Sequence, residues 1–344
     1  MTTDALDRPR FARDRFNPLP GWDGSDGSAR KAGIEIEFGG LTERAAAELA
    51  QKELGGTLEE PAPQSFVVKE SELGDLEIYL DTALRKKFKG QWARAGLDAG
   101  RAVIPVELVT APLAQDKLGR LDALMHALKA EGAIGTRGGV LLGFGLHLNP
   151  ELADKSGADM PATGTAFAFL EEWFRQTDPV DISRRLLPFT DRYRPSLLDA
   201  LAEPGDLPGL SGFMEIYLDH VHSRNHGLDL YPAIRWLDEP RFVARHGEDS
   251  SVSARPTYHY RLPDCRLGDP DWAVAYEWNR WQLVEQVARM PGLLDALRED
   301  WRGRGWLRNR VRGGWASAVD ERLREAGLIE AGLIEAGLTE GGDA

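Results

Sequence analysis

The segment GIEIEF at 33–38 sets Glu35 and Glu37 two residues apart, alternating with Ile34, Ile36 and Phe38. On a strand this alternation turns both carboxylates to one face and the apolar side chains to the other. Neighbouring carboxylates repel, and are tolerated in water or with a cation between them. Taken alone, the pair also fits an ordinary solvated strand face. A second segment, LHLN at 146–149, puts His147 and Asn149 on one face with Leu146 and Leu148 behind. A third, YHYR at 258–261, does the same for His259 and Arg261. Asp81 closes LEIYLD, and Glu107 sits in VELVTAPL. Any one of these residues alone is more often structural. Several strands carrying such residues on one phase point to a cation and phosphate cradle. Carboxylate oxygens suit Mg²⁺ or Mn²⁺, and arginine suits phosphate oxygens.

The elements that must position these groups mix strands and helices. Alternation predicts strands over 33–38, 65–69, 76–81, 102–109, 140–148 and 257–262, with Pro105 marking an edge or bulge. Ala, Leu and Glu over 43–54, ending at Gly55-Gly56, predict a helix. Leu118, Leu121, Met125 and Leu128 recur at helical spacing, and further helices are expected over 166–175 and 272–289. Segments 152–164, 203–212 and 245–256 read as loops. The order is not the regular βαβα of a parallel sheet. The expected class is α+β, a mainly antiparallel sheet with helices packed on one face. Residues 1–30 read as an extended N-terminal arm and 31–324 as one catalytic domain. Residues 325–344 read as a low-complexity tail, because its EAGLI repeat of period five fits neither helix nor strand.

The chain has 344 residues and a net charge of −13, which argues against nucleic-acid and anionic-membrane partners. The basic residues Arg302, Arg304, Arg308, Arg310 and Arg312 read as a solvated face. A single cysteine, Cys265, excludes an intramolecular disulfide and fits a reducing cytoplasm. No apolar run is long enough to span a membrane, and the first residues lack a signal-peptide core.

The chemistry-bearing residues fall in an ordered series that resembles the amidoligase family. This is a branch of the carboxylate–amine ligase superfamily, with glutamine synthetase and glutamate–cysteine ligase as relatives. The series runs Asn17-Pro18-Leu19-Pro20, GIEIEFGGL at 33–41, Leu54-Gly55-Gly56, Leu80-Asp81-Thr82 and ELVTAPL at 107–113. It continues with GLHLNPE at 145–151, Arg192-Tyr193-Arg194, Gly227-Leu228-Asp229-Leu230 and TYHYRLPD at 257–264. The resemblance implies a glutamine-synthetase-like catalytic sheet, ATP, and Mg²⁺ or Mn²⁺. It implies phosphorylation of a carboxylate to an acyl phosphate, then displacement by an amine. The substrates would be an amino acid or a peptide or protein carboxylate and an amine, with an amidotransferase as a possible pathway partner. By carry-over, Glu35, Glu37 and Glu107 are metal ligands, with Asp81 assisting. His147 and Asn149 would meet metal or nucleotide phosphate, and Arg261 with Glu107 would serve catalysis. The chain departs from the family pattern at two positions. His259 stands where a glutamate is usual, and Asp229 where asparagine is frequent. His259 is retained as a metal-ligand candidate because imidazole also binds Mn²⁺.

Two rival functions stay open at this level. His220, His222 and His226 could bind zinc in a hydrolase, although no H-E-x-x-H motif is present. A pseudoenzyme that keeps nucleotide or metal binding without turnover is favoured by His259. No GxxxxGK[ST] loop points to a P-loop enzyme.

Overall fold

The computed structural model describes residues 6–21, 29–80, 104–138, 143–185, 190–248, 250–305 and 314–330. Alternate burial makes β1 (Ala32–Phe38) a strand with one covered face. Helix α1 (Glu43–Leu54) starts where Thr42 Oγ1 accepts the Ala45 N–H, and ends at Gly55 with a φ of 72°. That positive φ is the conformation glycine adopts at low cost. A meander of β2 (Thr57–Ala62), β3 (Ser65–Ser71) and β4 (Gly74–Leu80) follows. Next come β5 (Val106–Thr110), α2 (Leu118–Ala130) and β6 (Leu146–Pro150).

The second half is mainly helical: α3 (Met160–Thr177), α4 (Ile182–Arg185), α5 (Pro195–Leu201) and α6 (Leu210–His220). Strand β7 (Leu228–Asp229), α7 (Tyr231–Leu237), α8 (Glu239–His246) and β8 (His259–Tyr260) come next. The described chain closes with α9 (Val274–Ala288), α10 (Pro291–Gly303) and α11 (Trp315–Glu325).

The eight strands form one antiparallel sheet in the order β2-β3-β4-β5-β1-β6-β8-β7. Register keeps one apolar phase across it. Ile36 lies opposite Leu108 and Leu146, Leu108 opposite Ile78, and Leu148 opposite Ile34 and Tyr260. All seven are fully buried. Helix α1 covers this phase at β3 and β4. At the other end, Phe167 of α3 meets Tyr260, and Trp281 of α9 meets Tyr258 and Tyr260 at 5.1–5.3 Å between ring centroids. Helix α3 is buried on nearly every side because α5, α6, α9, α10 and α11 pack around it. A helix enclosed in this way belongs to an interior layer. The protein is therefore α+β, with α1, α3 and α9 packed on the apolar phase of the sheet.

Residues 6–21 lie against α9. The Asn279 side chain accepts from the Asn17 N–H at 2.9 Å and donates to the Ala12 and Arg15 carbonyls. Arg30 forms a buried pair with Glu285 at 2.8 Å.

Several boundaries differ from the sequence expectation. The described strand within 102–109 starts at Val106. The strand expected over 257–262 contracts to β8, because pairing on either side breaks into isolated bridges, Glu151 with Thr257 and Gly145 with Asp264. The loops expected at 152–164 and 203–212 are cut short where α3 and α6 begin. Residues 140–142 of the expected strand 140–148, and most of the repeat at 325–344, lie outside the described residues.

Candidate active site

The phase opposite the helices carries the polar side chains. Glu35 lies opposite His147, Glu37 opposite Glu107, and Asp229 opposite His259. Tyr79 of β4 faces Glu107 on the same side. The sheet thus gathers Glu35, Glu37, Glu107, His147, Asn149 and His259 from strands far apart in the chain.

At the centre, Glu35 Oε2 accepts from His147 Nδ1 at 2.8 Å, and Glu35 Oε1 accepts from Asn149 Nδ2 at 3.0 Å. Burial alone would raise the Glu35 pKa. The hydrogen bond and charge of His147, with His259 and Asn149, outweigh it and hold Glu35 well below the usual carboxylate range. Burial pushes His147 down to about 4, against the pull of Glu35. At neutral pH the pair is a carboxylate and a neutral imidazole. With Nδ1–H donated to Glu35, His147 keeps its lone pair on Nε2. His259 stands edge-on to His147, with ring centroids 5.3 Å apart. One ligand atom each from Glu35, His147 and His259 lies within 4.8 Å of the others. His259 Nε2 is buried with no hydrogen-bond partner among the described residues.

Arg261 lies two residues beyond His259. Its Nη1 donates to the Arg224 carbonyl at 3.0 Å, and its Nε is buried without a partner among the described residues. Burial lowers the Arg261 pKa, partly offset by the charge of Asp229.

Three contributors escaped the sequence reading as site residues. Asp229 binds His259 Nδ1 at 3.2 Å and Arg224 Nε at 2.8 Å. Arg184 is buried and donates to the carbonyls of Arg261, Leu262 and Pro263 and to Asp264 Oδ1. It thereby fixes the segment that carries Arg261. Gly145 is a close-approach position: a Cβ there would lie 3.1 Å from His147 Nε2, 3.2 Å from Arg184 Nη2 and 3.4 Å from Glu37 Oε2. The Gly145 N–H donates to Glu37 Oε2 at 2.7 Å.

Asp81 lies outside the described residues. His220, His222 and His226 are not gathered into a three-residue metal group among the described residues. His220 Nδ1 meets Ser196 Oγ at 3.1 Å. His226 Nδ1 meets the Asp191 carbonyl, and its ring stacks on Tyr193. A cavity of about 720 Å³ between residues 7–17, α9 and the end of α11 is remote from the polar sheet face. No described helix is long and apolar enough to cross a membrane.

Fold and site together define an α+β protein whose antiparallel sheet carries a candidate metal-binding face. The family model described as "Putative amidoligase enzyme" matches residues 28–283, and the chain belongs to this amidoligase family. The matched stretch holds every described site residue from Glu35 to Arg261. No curated protein gives a significant match to the chain.

Proposed function

We propose that this chain is an ATP-dependent carboxylate–amine ligase, working through an acyl phosphate on a glutamine-synthetase-like sheet. The observation that carries the reading is the approach of Glu35, His147 and His259 within 4.8 Å on the polar sheet face of an amidoligase-family chain.

The residues fit a divalent cation. Glu35 is ionised, His147 presents Nε2, and His259 Nε2 is a buried atom lacking a partner among the described residues. His147 and His259 would hold Mg²⁺ or Mn²⁺ through Nε2, with Glu37 and Glu107 as carboxylate ligands on the same face, Glu35 fixing His147 from behind, and Asp81 a further candidate. When bound, the cation neutralises phosphate charge and ATP supplies the phosphoryl group. Arg261 would hold the transferring phosphoryl oxygens, stabilising charge as it develops. Asn149 and His147 keep Glu35 oriented by a hydrogen bond to each of its oxygens. The substrate carboxylate would take the phosphoryl group, and the amine would then displace phosphate. The substrates belong to the class of amino acids or peptide carboxylates and amines.

Incubation with ATP, Mn²⁺ or Mg²⁺, and hydroxylamine as surrogate amine, over a panel of amino acids and peptides, tests this reading. ADP and a hydroxamate in equal amounts are expected with at least one carboxylate. ATP binding without either product across the panel refutes the ligase and favours the pseudoenzyme. The observation on that side is His259, a neutral ligand where a carboxylate would add charge.

A further inference from the structure

We propose that Asp229 is the positioning residue that makes His259 a metal ligand, and that the two act as one unit favouring Mn²⁺ over Mg²⁺. The inference rests on the metal-site reading above and extends it to a residue outside the ligand set. Asp229 and His259 are directly opposed in the β7–β8 register, with His259 Nδ1 and Asp229 Oδ2 3.2 Å apart. Asp229 is 1% exposed. Its Oδ2 also accepts from Arg224 Nε at 2.8 Å, and its Oδ1 from the Tyr231 N–H at 3.0 Å. Three donors therefore fix this carboxylate.

An ionised carboxylate only accepts hydrogen bonds, so His259 must place its proton on Nδ1. The lone pair then falls on Nε2, a buried atom without a partner among the described residues, in one of the three residues that bring a ligand atom within 4.8 Å of one another. A carboxylate behind a ligating imidazole fixes its tautomer and ring orientation and raises its basicity. His147 is arranged in the same way by Glu35. The result is two imidazole nitrogens beside the carboxylates of the same sheet face, a set that favours Mn²⁺ over the harder Mg²⁺. The Arg224 carbonyl that accepts from Arg261 Nη1 extends the support from Asp229 toward the phosphate-binding side.

The two positions are those at which the chain departs from the family it resembles, and here they touch. A carboxylate placed at 259 alone would meet Asp229 across the strand pair, charge against charge. An amide at 229 would instead donate to it. The positions should therefore exchange together.

The test measures Mn²⁺ and Mg²⁺ affinities by calorimetry on the full chain and on Asp229→Asn, His259→Glu and the double variant. Asp229→Asn is expected to weaken Mn²⁺ binding by roughly 10–100-fold. His259→Glu alone is expected to bind both ions worse than wild type, and the double variant to regain Mg²⁺ binding. An Mn²⁺ affinity of Asp229→Asn within twofold of wild type overturns the inference. So does a double variant that binds Mg²⁺ no better than His259→Glu. Because a variant at a buried site can lose its fold, the wild type carries an independent test. Pulsed EPR of its Mn²⁺ complex should show two coupled imidazole nitrogens, and one or none overturns the role of His259. No Mn²⁺ binding by folded wild type would overturn the metal-site reading itself, and this inference with it.

Discussion

Replacing Gly145 with alanine perturbs the site while sparing the backbone. Gly145 is not among the positive-φ glycines, so alanine meets no conformational penalty there. The added methyl would stand 3.1 Å from His147 Nε2, 3.2 Å from Arg184 Nη2 and 3.4 Å from Glu37 Oε2. The tightest contacts must open by a few tenths of an ångström. Arg184 is pinned by three carbonyls and Asp264, and Glu37 by the Gly145 N–H. His147 is left to yield, and it takes Glu35 with it. A ligand shift of that size, against roughly 100-fold for a full ångström, gives about a 10-fold loss of Mn²⁺ affinity and turnover. Stability should change by less than about 1 kcal/mol, because reduced unfolded-state entropy offsets the crowding. Thermal melting of metal-free protein and Mn²⁺ titration of the same samples separate the two effects. Unchanged Mn²⁺ affinity in a folded variant would refute the placement of His147 Nε2 in the ligand set. A large fall in Tm would show that Gly145 serves packing instead.

Further tests probe the other parts. Glu35→Gln and Glu37→Gln should each abolish ATP turnover with melting close to wild type; turnover at the wild-type rate in both would misplace the metal cradle. Metal-free protein should lose stability on acidification. His147 has its folded pKa near 4 against 6.5 unfolded, so the unfolded chain binds the proton first. That contribution, roughly 3 kcal/mol, is complete above pH 6.5 and drains away between 6.5 and 4. The depressed Glu35 adds a loss at lower pH still. Denaturant melts across this range in EDTA check the slope, and a flat profile would contradict the buried neutral imidazole. Asn279→Ala should cost about 1–3 kcal/mol by stranding the backbone groups of residues 12–17, and should speed proteolysis of the arm. Wild-type cleavage rates would show that the arm is held elsewhere.

The polar face was legible where alternation ran for five residues or more. GIEIEF gave away its two faces, and LHLN lay within a longer apolar run. The alternation YHYR gave β8 its two faces although only two of its residues pair; β7, two residues, is too short for any period and exists through pairing with β8. Of helices α5 to α8, only the first residues of α6 and the last of α8 fall in segments read as loops, 203–212 and 245–256. Arg184 acts mainly on backbone carbonyls, which leave no trace in side-chain identity. Asp229 was visible as a departure from a family pattern, but its partner emerges only from the register that sets it against His259. Residues 6–21 show no periodicity; side chains elsewhere hold their backbone, Asn279 and Trp278 of α9 among them.

The three residues that meet in the centre come from positions 35, 147 and 259, with 112 residues separating the first two. A chain growing at roughly 5–20 residues per second presents the last of them roughly 6–20 seconds after the second. During that interval β1 and β6 can pair while β8 is still to be made. The nascent chain then carries Glu35, Glu37, Glu107 and His147 but lacks His259, the last of the proposed ligands. If these residues hold a cation as proposed, the set is complete only when β8, a two-residue strand, docks. A chain truncated before residue 259 should then hold the ion more weakly even where its first six strands are in place.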